Sequence, residues 1–317
     1  MITRSYYILK PFIPRKLQIA VRRWAIRRQL PKVAAVWPIN KQAGGIPAGW
    51  KGWPEGKKFA IILTHDVDTQ RGHDRCEDLA ALETEMGFRS SFNFVPERYT
   101  VSQKLRNLLT SSGFEVGVHG LKHDGKYFDN RNIFRDRANR INQYIREWGA
   151  AGYRSPSMLH KLDWIHDLEI TYDASTFDID PFEPDPTGVG TIFPFRVTTK
   201  TFVKGYVELP YTLPQDFTLY ILMGCRNIDL WKSKLKWIAE QGGMALLNTH
   251  PDYMNFHGGK NGTEEYPSKY YSDFLRYIVS EYKGNYWSVL PKELAIKIES
   301  GDISVDTIDS SSFYNKV

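Results

Sequence analysis

The sequence is poor in cysteine, with only Cys76 and Cys225 among its 317 residues. Two such distant cysteines supply neither a disulfide framework nor the Cys-x-x-Cys spacing of a metal or redox site. No stretch approaches the roughly 20 consecutive apolar residues that a membrane-spanning helix needs. The N-terminus also lacks the apolar core and the small-residue cleavage site of a signal peptide. We therefore expect a cytoplasmic protein from a reducing compartment.

Acidic residues are missing from the beginning of the chain, where the first one is Glu55. Eleven lysines and arginines precede it, more than the net charge of +6, so the remainder is net acidic. Within residues 15–30, paired arginines alternate with apolar residues and Trp24. This pattern is typical of helices lying on anionic membranes, where each cation contributes about 1 kcal/mol. A basic arm packed on the acidic remainder and a disordered arm are the alternatives.

Two classes of partner have to be considered for this basic segment, an anionic membrane surface and nucleic acid. Peripheral contact with the inner membrane face is a hypothesis that the charge and the apolar residues support. Nucleic acid is not an expected partner, because the rest of the chain is acidic and carries no recognition motif.

From about residue 58, short apolar stretches alternate with stretches of helical periodicity. This alternation predicts an α/β fold with parallel strands joined by helices. Six or seven such units fit a closed or nearly closed barrel, and an open doubly wound sheet is the alternative. We predict a basic segment at 1–50, a barrel domain at 51–300 and a C-terminal tail at 301–317. The Pro/Gly-rich stretch 181–190 is a candidate wall of a cleft.

Polar side chains follow the apolar strands at the points where the strands end. They are Asp66 and Asp68 after "AIIL", His119 and His123 after "FEVGV", Arg154 after "GY", and His250 after "MALLN". In a parallel α/β barrel the carboxyl ends of all strands open on one face, so these residues are expected to meet there. Two histidines and one carboxylate leave open positions on a divalent metal, as a hydrolytic zinc site requires.

The stretches "LTHDVD", "VHGLKHD", "YRSPS" and "LLNTHPD", in this order, resemble the motif series of the polysaccharide deacetylases of carbohydrate esterase family 4. The resemblance spans roughly residues 58–255. It implies a distorted (β/α)7 barrel with the site at the carboxyl ends of parallel strands. It also implies removal of N-acetyl, sometimes O-acetyl, groups from sugars by means of a divalent metal, and Zn²⁺ is the ion we expect.

The resemblance also assigns roles to matching residues. Asp68, His119 and His123 would be the metal ligands, and Asp66 the general base that takes a proton from the metal-bound water. A nearby arginine keeps a carboxylate ionised, which is the role implied for Arg154.

His250 would be the general acid, since histidine is the side chain suited to donating a proton near neutral pH. A carboxylate usually orients such a histidine. Asp173 and Asp178 in "YDASTFDID" are candidates between which the sequence does not decide.

Aromatic residues near the predicted strand ends are candidates for stacking on a sugar ring. They are Tyr153, Phe177, Phe182 and Tyr211. The alternative is that they pack in the core. Aromatic residues on helices, such as Trp231 and Trp237, are better explained as core.

The sequence departs from the usual family pattern in three places. Val67 separates Asp66 and Asp68, which are adjacent in most members, although i and i+2 residues of an extended chain still point to the same side. Gly120 stands where a serine or threonine is usual, and the family's usual tryptophan of the fourth motif is not obvious.

We expect a metal-dependent deacetylase that hydrolyses N-acetyl groups of a sugar or polysaccharide precursor in cell-surface glycan biosynthesis. One alternative is a metal-dependent amidohydrolase acting on a small C–N substrate. A second is a non-catalytic sugar-binding relative, against which the retention of both candidate base and candidate acid argues.

Overall fold

The computed structural model of the protein describes residues 14–313. Residues 1–13 of the predicted basic segment and residues 314–317 of the predicted tail lie outside the described residues. The domain limits at 50 and 300 stay predictions.

Strand β1 (Phe59–Val67) occupies the centre of the sheet and is buried along its whole length. Its nearly continuous apolar run is the composition expected of a parallel strand covered on both faces. One edge of β1 pairs in parallel with β8 (Met244–Thr249). The other edge pairs with β11 (Tyr286–Ser288) at its beginning and with β2 (Ser91–Phe94) at its end. The carboxyl end of β1 therefore lies between β2 and β8.

The parallel order continues from β2 through four further strands, β3 (Glu115–His119), β4 (Gly152–Arg154), β5 (Tyr172–Asp173) and β7 (Tyr206–Glu208). Beyond β7 the chain reaches β8, where Leu213 forms a parallel bridge with Leu247 and closes the curl of the sheet. The prediction of an α/β fold with a distorted barrel of parallel strands is confirmed, and the sheet is not the open doubly wound alternative.

Four other strands lie outside this ring. Strand β6 (Phe195–Thr198) runs antiparallel to β7, and β12 (Asp306–Asp309) runs parallel to β6. Strands β9 (Met254–Asn255) and β10 (Tyr266–Pro267) form a separate two-stranded pair. Because β12 belongs to residues 301–317, part of the predicted tail extends the main sheet.

Helices connect the strands and cover the sheet. The α-helices are α1 (Arg15–Val33), α2 (Gln70–His73), α3 (Cys76–Glu85), α4 (Gln103–Ser111), α5 (Arg131–Trp148), α6 (Leu162–Ile165), α7 (Asp229–Gln241), α8 (Lys269–Glu281), α9 (Pro291–Glu299) and α10 (Ser310–Phe313). Single 3-10 turns occur at Lys41–Gly44, Pro54–Gly56, Pro156–Met158 and Pro251–Tyr253, and a π-helix at Phe217–Met223.

Helix α5 illustrates how the local sequence sets these elements. The side chain of Asn130 accepts a hydrogen bond from Ile133 N at 2.9 Å, which caps the helix start. Gly149 adopts a left-handed conformation at its end, where glycine carries no Cβ penalty. Between these signals Phe134 and Ala138 recur at helical spacing and are buried against the sheet.

Helix α1 is formed by the basic segment and packs against the barrel. Ile19 and Ile26 are buried beneath it. Arg23 Nε donates a hydrogen bond to Ile221 O at 2.8 Å, which ties the helix to the π-helix. Residues 15–30 are therefore not a disordered arm, which was one of the interpretations left open for this segment. Among residues 14–313, no helix has both the length and the apolar composition needed to cross a bilayer.

Candidate active site

Asp68, His119 and His123 meet at the carboxyl ends of β1 and β3. Asp68 directly follows β1, His119 is the last residue of β3, and His123 lies in the loop that follows. The Nε2 atoms of His119 and His123 lie 3.4 Å and 3.2 Å from Asp68 Oδ1. One ligand atom from each residue falls within 4.8 Å of the other two, so the group can hold a metal ion.

The surroundings of this group suit a cation. Asp68 Oδ1 is buried and accepts no hydrogen bond from residues 14–313. His119 Nδ1 lies 3.1 Å from Arg154 O. Because a carbonyl oxygen can only accept, Nδ1 carries the proton and the Nε2 lone pair points toward Asp68. Two imidazole nitrogens and one carboxylate oxygen form a donor set typical of catalytic Zn²⁺ sites, so these residues fit a divalent metal.

The loop between the two histidines is fixed by its backbone. Gly120 and His123 both have positive φ angles, 62° and 54°. A Cβ atom on residue 120 would lie 2.5 Å from Cδ of Pro156 in the third motif. The glycine that departs from the family pattern is therefore explained by a left-handed turn packed against Pro156.

Asp66 lies one position inside β1, is buried, and is held by three side chains. Asn93 Nδ2 and Arg154 Nη1 donate to its Oδ1 at 3.1 Å and 3.3 Å, and Asn248 Nδ2 donates to its Oδ2 at 2.8 Å. Burial alone would raise the pKa of Asp66, but its close neighbours His119 and Arg154, the latter a permanent cation, hold that pKa at about 2. Asp66 is consequently ionised at neutral pH.

Arg154 is completely buried and connects three strands. It donates hydrogen bonds to Thr64 Oγ1 at 2.8 Å, to Asn248 Oδ1 at 2.6 Å and to Ala174 O at 2.8 Å. The arginine therefore fixes Asn248 as well as Asp66.

Asn93 and Asn248, which both donate to Asp66, were not predicted as site residues from the sequence. Each is an amide side chain inside a fully buried strand, β2 or β8, and that amide was the available signal.

His250 directly follows β8, and its ring is held by Asp216. His250 Nδ1 lies 2.7 Å from Asp216 Oδ1, and His250 N donates to Asp216 Oδ2 at 2.8 Å. Tyr266 OH also donates to Oδ2, at 3.0 Å. Burial alone would lower the pKa of His250, but the charge and hydrogen bond of Asp216 raise that pKa to about 10. The ring is thus protonated at neutral pH.

The two carboxylates that the sequence suggested as partners of His250 lie elsewhere, so this expectation is corrected. Asp173 accepts a hydrogen bond from Ser175 Oγ at 2.6 Å, and Asp178 forms a buried ion pair with Lys234 at 2.5 Å. Asp216 was missed because it lies beyond β7, in "LPQDF", where its only signal is an aspartate at the start of the π-helix.

The predicted sugar-stacking residues Tyr153, Phe177 and Tyr211 belong to the core. Their side chains have 1%, 0% and 1% of their surface exposed. Phe177 and Tyr211 lie in one apolar cluster and Tyr153 in another. These rings offer no face to a substrate. Tyr153 packs between the sheet and helix α5, and Phe177 and Tyr211 pack among side chains of β1, β5, β7 and β8. Phe182 is likewise buried, against Trp37.

Asp252 of the fourth motif fixes the backbone that carries Asp68. Its Oδ2 accepts a hydrogen bond from Asp68 N at 2.9 Å, and its Oδ1 accepts one from Thr69 Oγ1 at 2.5 Å. The loop after β8 therefore positions the end of β1 as well as His250.

Comparisons with known proteins give a match at the level of structure. No protein-family model matches the sequence, and no curated protein matches it. A protein from Mycobacterium smegmatis assigned as a polysaccharide deacetylase superimposes with a TM-score of 0.62 at 18% identity, over 83% of this chain and 98% of its own. The allantoinase Puue gives a TM-score of 0.60 at 12% identity, over 83% and 98%.

A third solved structure agrees with the first. A protein from Pseudomonas aeruginosa PAO1, also assigned as a polysaccharide deacetylase, superimposes with a TM-score of 0.57 at 13% identity, over 78% of this chain and 93% of its own. At such identities the likeness concerns the fold. The resemblance indicated by the four motifs is confirmed at that level: this chain has the fold of solved polysaccharide deacetylases.

Proposed function

We propose that this protein is a metal-dependent deacetylase that hydrolyses the N-acetyl group of a sugar or polysaccharide precursor. The observation that carries the proposal is the convergence of a metal-binding group with an ionised carboxylate on one side and a protonated histidine in reach. Asp66 Oδ1 lies 3.9 Å from His119 Nδ1, and the negative charges of Asp68 and Asp66 both favour the charged form of His250. Metal-assisted hydrolysis of an amide uses all three parts.

Asp68, His119 and His123 would hold the metal, and Zn²⁺ is the ion we propose. When bound, such an ion lowers the pKa of a water molecule to about 7 and polarises the acetyl carbonyl. Asp68 Oδ1, which lacks a donor among residues 14–313, gains a partner. The hydrogen bond from His119 Nδ1 to Arg154 O keeps the opposite ring nitrogen available.

Asp66 is the proposed general base. Its Oδ2 accepts one hydrogen bond from residues 14–313, that of Asn248, so a lone pair remains for the proton of the attacking water. Arg154 and Asn93 hold the carboxylate in place and favour its ionised form.

His250 is the proposed general acid. Asp216 occupies Nδ1, so Nε2–H is the group left to protonate the departing amine nitrogen. The water oxygen bonds to the acetyl carbon, the C–N bond breaks, and acetate and a free amine result. Because the pKa of His250 is raised to about 10, the acid form persists at neutral pH.

Acetate release tests this proposal. The full chain loaded with Zn²⁺ is incubated with a panel of N-acetylated sugars and oligosaccharides, beside Asp66→Asn and a matched control, Asp136→Asn. Asp136 is exposed on helix α5 and has no ion pair among the residues described. We expect acetate from wild type and control, and loss of at least about 100-fold in Asp66→Asn. Equal rates for all three proteins, or no acetate from any sugar, contradict the proposal.

A small amide is the second candidate substrate, and the buried aromatic residues favour it. Tyr153, Phe177 and Tyr211 provide no stacking platform for a polysaccharide. The same panel extended with small cyclic amides separates the two: turnover of these amides alone assigns an amidohydrolase. Binding of sugars without turnover of any compound assigns a non-catalytic sugar-binding protein.

We further propose that the protein acts in cell-surface glycan biosynthesis from the cytoplasmic face of the membrane, to which helix α1 binds. Leu17, Val21 and Trp24 lie on the outward side of α1 and are 53%, 38% and 55% exposed. Arg28 lies over the Trp24 ring at 4.0 Å, so cations border this apolar stripe. Such a face suits an anionic bilayer surface.

Vesicle sedimentation tests the membrane step. We expect the wild type to sediment with phosphatidylglycerol vesicles and not with phosphatidylcholine vesicles, and a Leu17→Asn/Trp24→Asn variant to lose this binding. Equal sedimentation of variant and wild type would count against α1 as the binding element.

A further inference from the structure

One side of helix α1 faces the rim of the candidate active site. Arg15, Arg22 and Gln29 recur every seven residues, which places them on one side of the helix, away from the exposed Leu17 and Trp24. Arg15 Nε donates to Glu264 Oε2 at 2.9 Å, and Gln29 Nε2 donates to Pro181 O at 2.7 Å. The helix therefore bridges the loop after β9 and the Pro/Gly-rich stretch 181–190.

Arg22, in the middle of this row, is not ion-paired with any acidic residue among residues 14–313. Its Cζ lies 5.0 Å from the centre of the Phe217 ring, and it forms no hydrogen bond or ion pair with residues 14–313. The side chain is half-buried. A partly desolvated guanidinium is costly to leave unpaired, and its planar set of donors suits a carboxylate or a phosphate.

A short chain of rings connects Arg22 with the proposed acid. The Phe217 ring packs on Tyr253, with ring centres 4.9 Å apart, and Tyr253 packs on His250 at 5.2 Å. Arg15 also lies near Phe217, at 5.9 Å from the ring centre. Because His250 is the proposed acid for the amine that leaves with the sugar, we take the side of His250 on which these two arginines lie as the side that receives the sugar.

The nearest carboxyl group does not neutralise Arg22 fully. Burial and the charge of Asp180 raise the pKa of Glu183 to about 8, although Arg22 opposes this rise. Glu183 Oε1 accepts hydrogen bonds from Gln215 Nε2 at 2.8 Å and Tyr211 OH at 3.2 Å. A largely neutral Glu183 at pH 7 leaves the positive charge of Arg22 available to a ligand.

We propose that Arg22, assisted by Arg15, binds an anionic phosphate ester on the sugar portion of the substrate. This inference rests on the proposed deacetylase function and narrows its substrate to a phosphorylated N-acetyl amino sugar. The phosphate belongs either to a soluble sugar phosphate or to a lipid-linked one, and the chemistry that Arg22 recognises is the same.

Calorimetric binding to the full chain tests the phosphate site. The probes are N-acetylglucosamine 1-phosphate and unphosphorylated N-acetylglucosamine, each measured with Zn²⁺-loaded and with metal-free protein. We expect the phosphorylated sugar to bind at least about tenfold more tightly, as one charge-assisted contact allows. We expect this preference to vanish in Arg22→Gln, to be partly kept in Arg22→Lys, and to be unchanged in the control Arg135→Gln.

Arg135 is a suitable control because it is exposed on helix α5 and has no ion pair among the residues described. Arg22→Lys keeps the positive charge. If this variant partly keeps the preference for the phosphorylated sugar, misfolding does not explain the loss of that preference in Arg22→Gln. A preference that persists in Arg22→Gln places the phosphate on the metal and overturns the proposal. Equal affinity of wild type for the two sugars also overturns it.

Competition distinguishes the source of the phosphate. Displacement of the sugar phosphate by inorganic phosphate but not by phosphatidylglycerol vesicles supports a soluble ester. Displacement by these vesicles and not by phosphatidylcholine vesicles supports a lipid phosphate. In both cases the binding that is displaced is expected to depend on Arg22. Absence of acetate release with an intact Arg22-dependent preference would contradict the proposed function while leaving the phosphate site supported.

Discussion

Asp216 holds His250 through two contacts, one to the ring at 2.7 Å and one to the backbone nitrogen at 2.8 Å. The carboxylate therefore sets both the orientation of the ring and its protonation. Burial of His250 acts in the opposite direction, and Asp216 outweighs it to give a pKa of about 10.

We expect Asp216→Asn to move the alkaline limb of the pH profile to lower pH. A neutral amide withdraws the charge that raises the pKa of His250, so the acid form is lost earlier as pH rises. The acid limb, which follows Asp66, stays in place. The measurement is kcat/KM for acetate release against pH. Tyr266→Phe removes one hydrogen bond to Asp216 and serves as a milder comparison. An unchanged alkaline limb in Asp216→Asn excludes His250 as the acid.

Replacement of Arg154 by methionine is expected to affect both stability and the acid limb. It leaves Asp66 buried with less compensation, at a cost of about 3–5 kcal/mol in unfolding free energy. The pKa of Asp66 then rises from about 2, so the acid limb of the rate profile moves to higher pH.

The sign of the stability effect follows from the same pKa. A folded-state pKa of about 2 lies below the ordinary aspartate value of about 3.9, so ionised Asp66 stabilises the fold at neutral pH. This contribution is lost as pH falls toward 2. Urea titrations at pH 7 and at about pH 3 measure it, and equal stability of Arg154→Met and wild type at both values refutes the assignment.

Metal binding is expected to raise the melting temperature of the wild type. At a free Zn²⁺ concentration of 100 times Kd, the stabilisation is about 2.7 kcal/mol. Asp68→Ala removes one of the three ligands and should abolish most of this shift. The control Asp74→Ala alters an exposed carboxylate on the same connection. Calorimetry with and without Zn²⁺ gives the comparison, and a full shift in Asp68→Ala shows that the ion binds elsewhere.

Gly120→Ser is expected to destabilise the protein despite restoring the residue usual in the family. The left-handed backbone costs a non-glycine residue about 1–2 kcal/mol, and the new Cβ would lie 2.5 Å from Pro156 Cδ. Zn²⁺ affinity should fall too, because relief of the contact displaces His119. Gly125→Ser, also at positive φ but with open space around it, isolates the backbone cost from the clash.

The buried ion pair of Lys234 and Asp178 provides a prediction about stability that does not involve the candidate catalytic residues. Lys234→Met leaves Asp178 uncompensated and should cost about 3–5 kcal/mol. Adding Asp178→Asn should recover part of that loss, because the buried charge is then removed. Denaturant unfolding of the two variants decides. A double variant less stable than Lys234→Met contradicts this account.

The positions of Asp68, His119 and His250 could be predicted from sequence because each directly follows or ends a strand. Strand ends in a parallel barrel converge, so Asp68, His119 and His250 needed no knowledge of side-chain packing. Asp216 could not be found this way, since its contact with His250 depends on how the chain turns after β7. The direction of Tyr153 and Tyr211 was equally hidden, because a strand of three residues and a single bridge carry too little alternation to assign a face.

Asp66 and Asp68 extend from one strand with a single residue between them. Two residues of extended chain span about 7 Å, so the spacing between the Cα atoms of Asp66 and Asp68 is set by covalent geometry. Loops that make no contact with Asp66 or Asp68 can consequently be exchanged during evolution, and new substrates admitted, without a change in that spacing. The loop that carries Asp252 is not one of them, because Asp252 accepts the hydrogen bond of Asp68 N and so helps to aim this carboxylate.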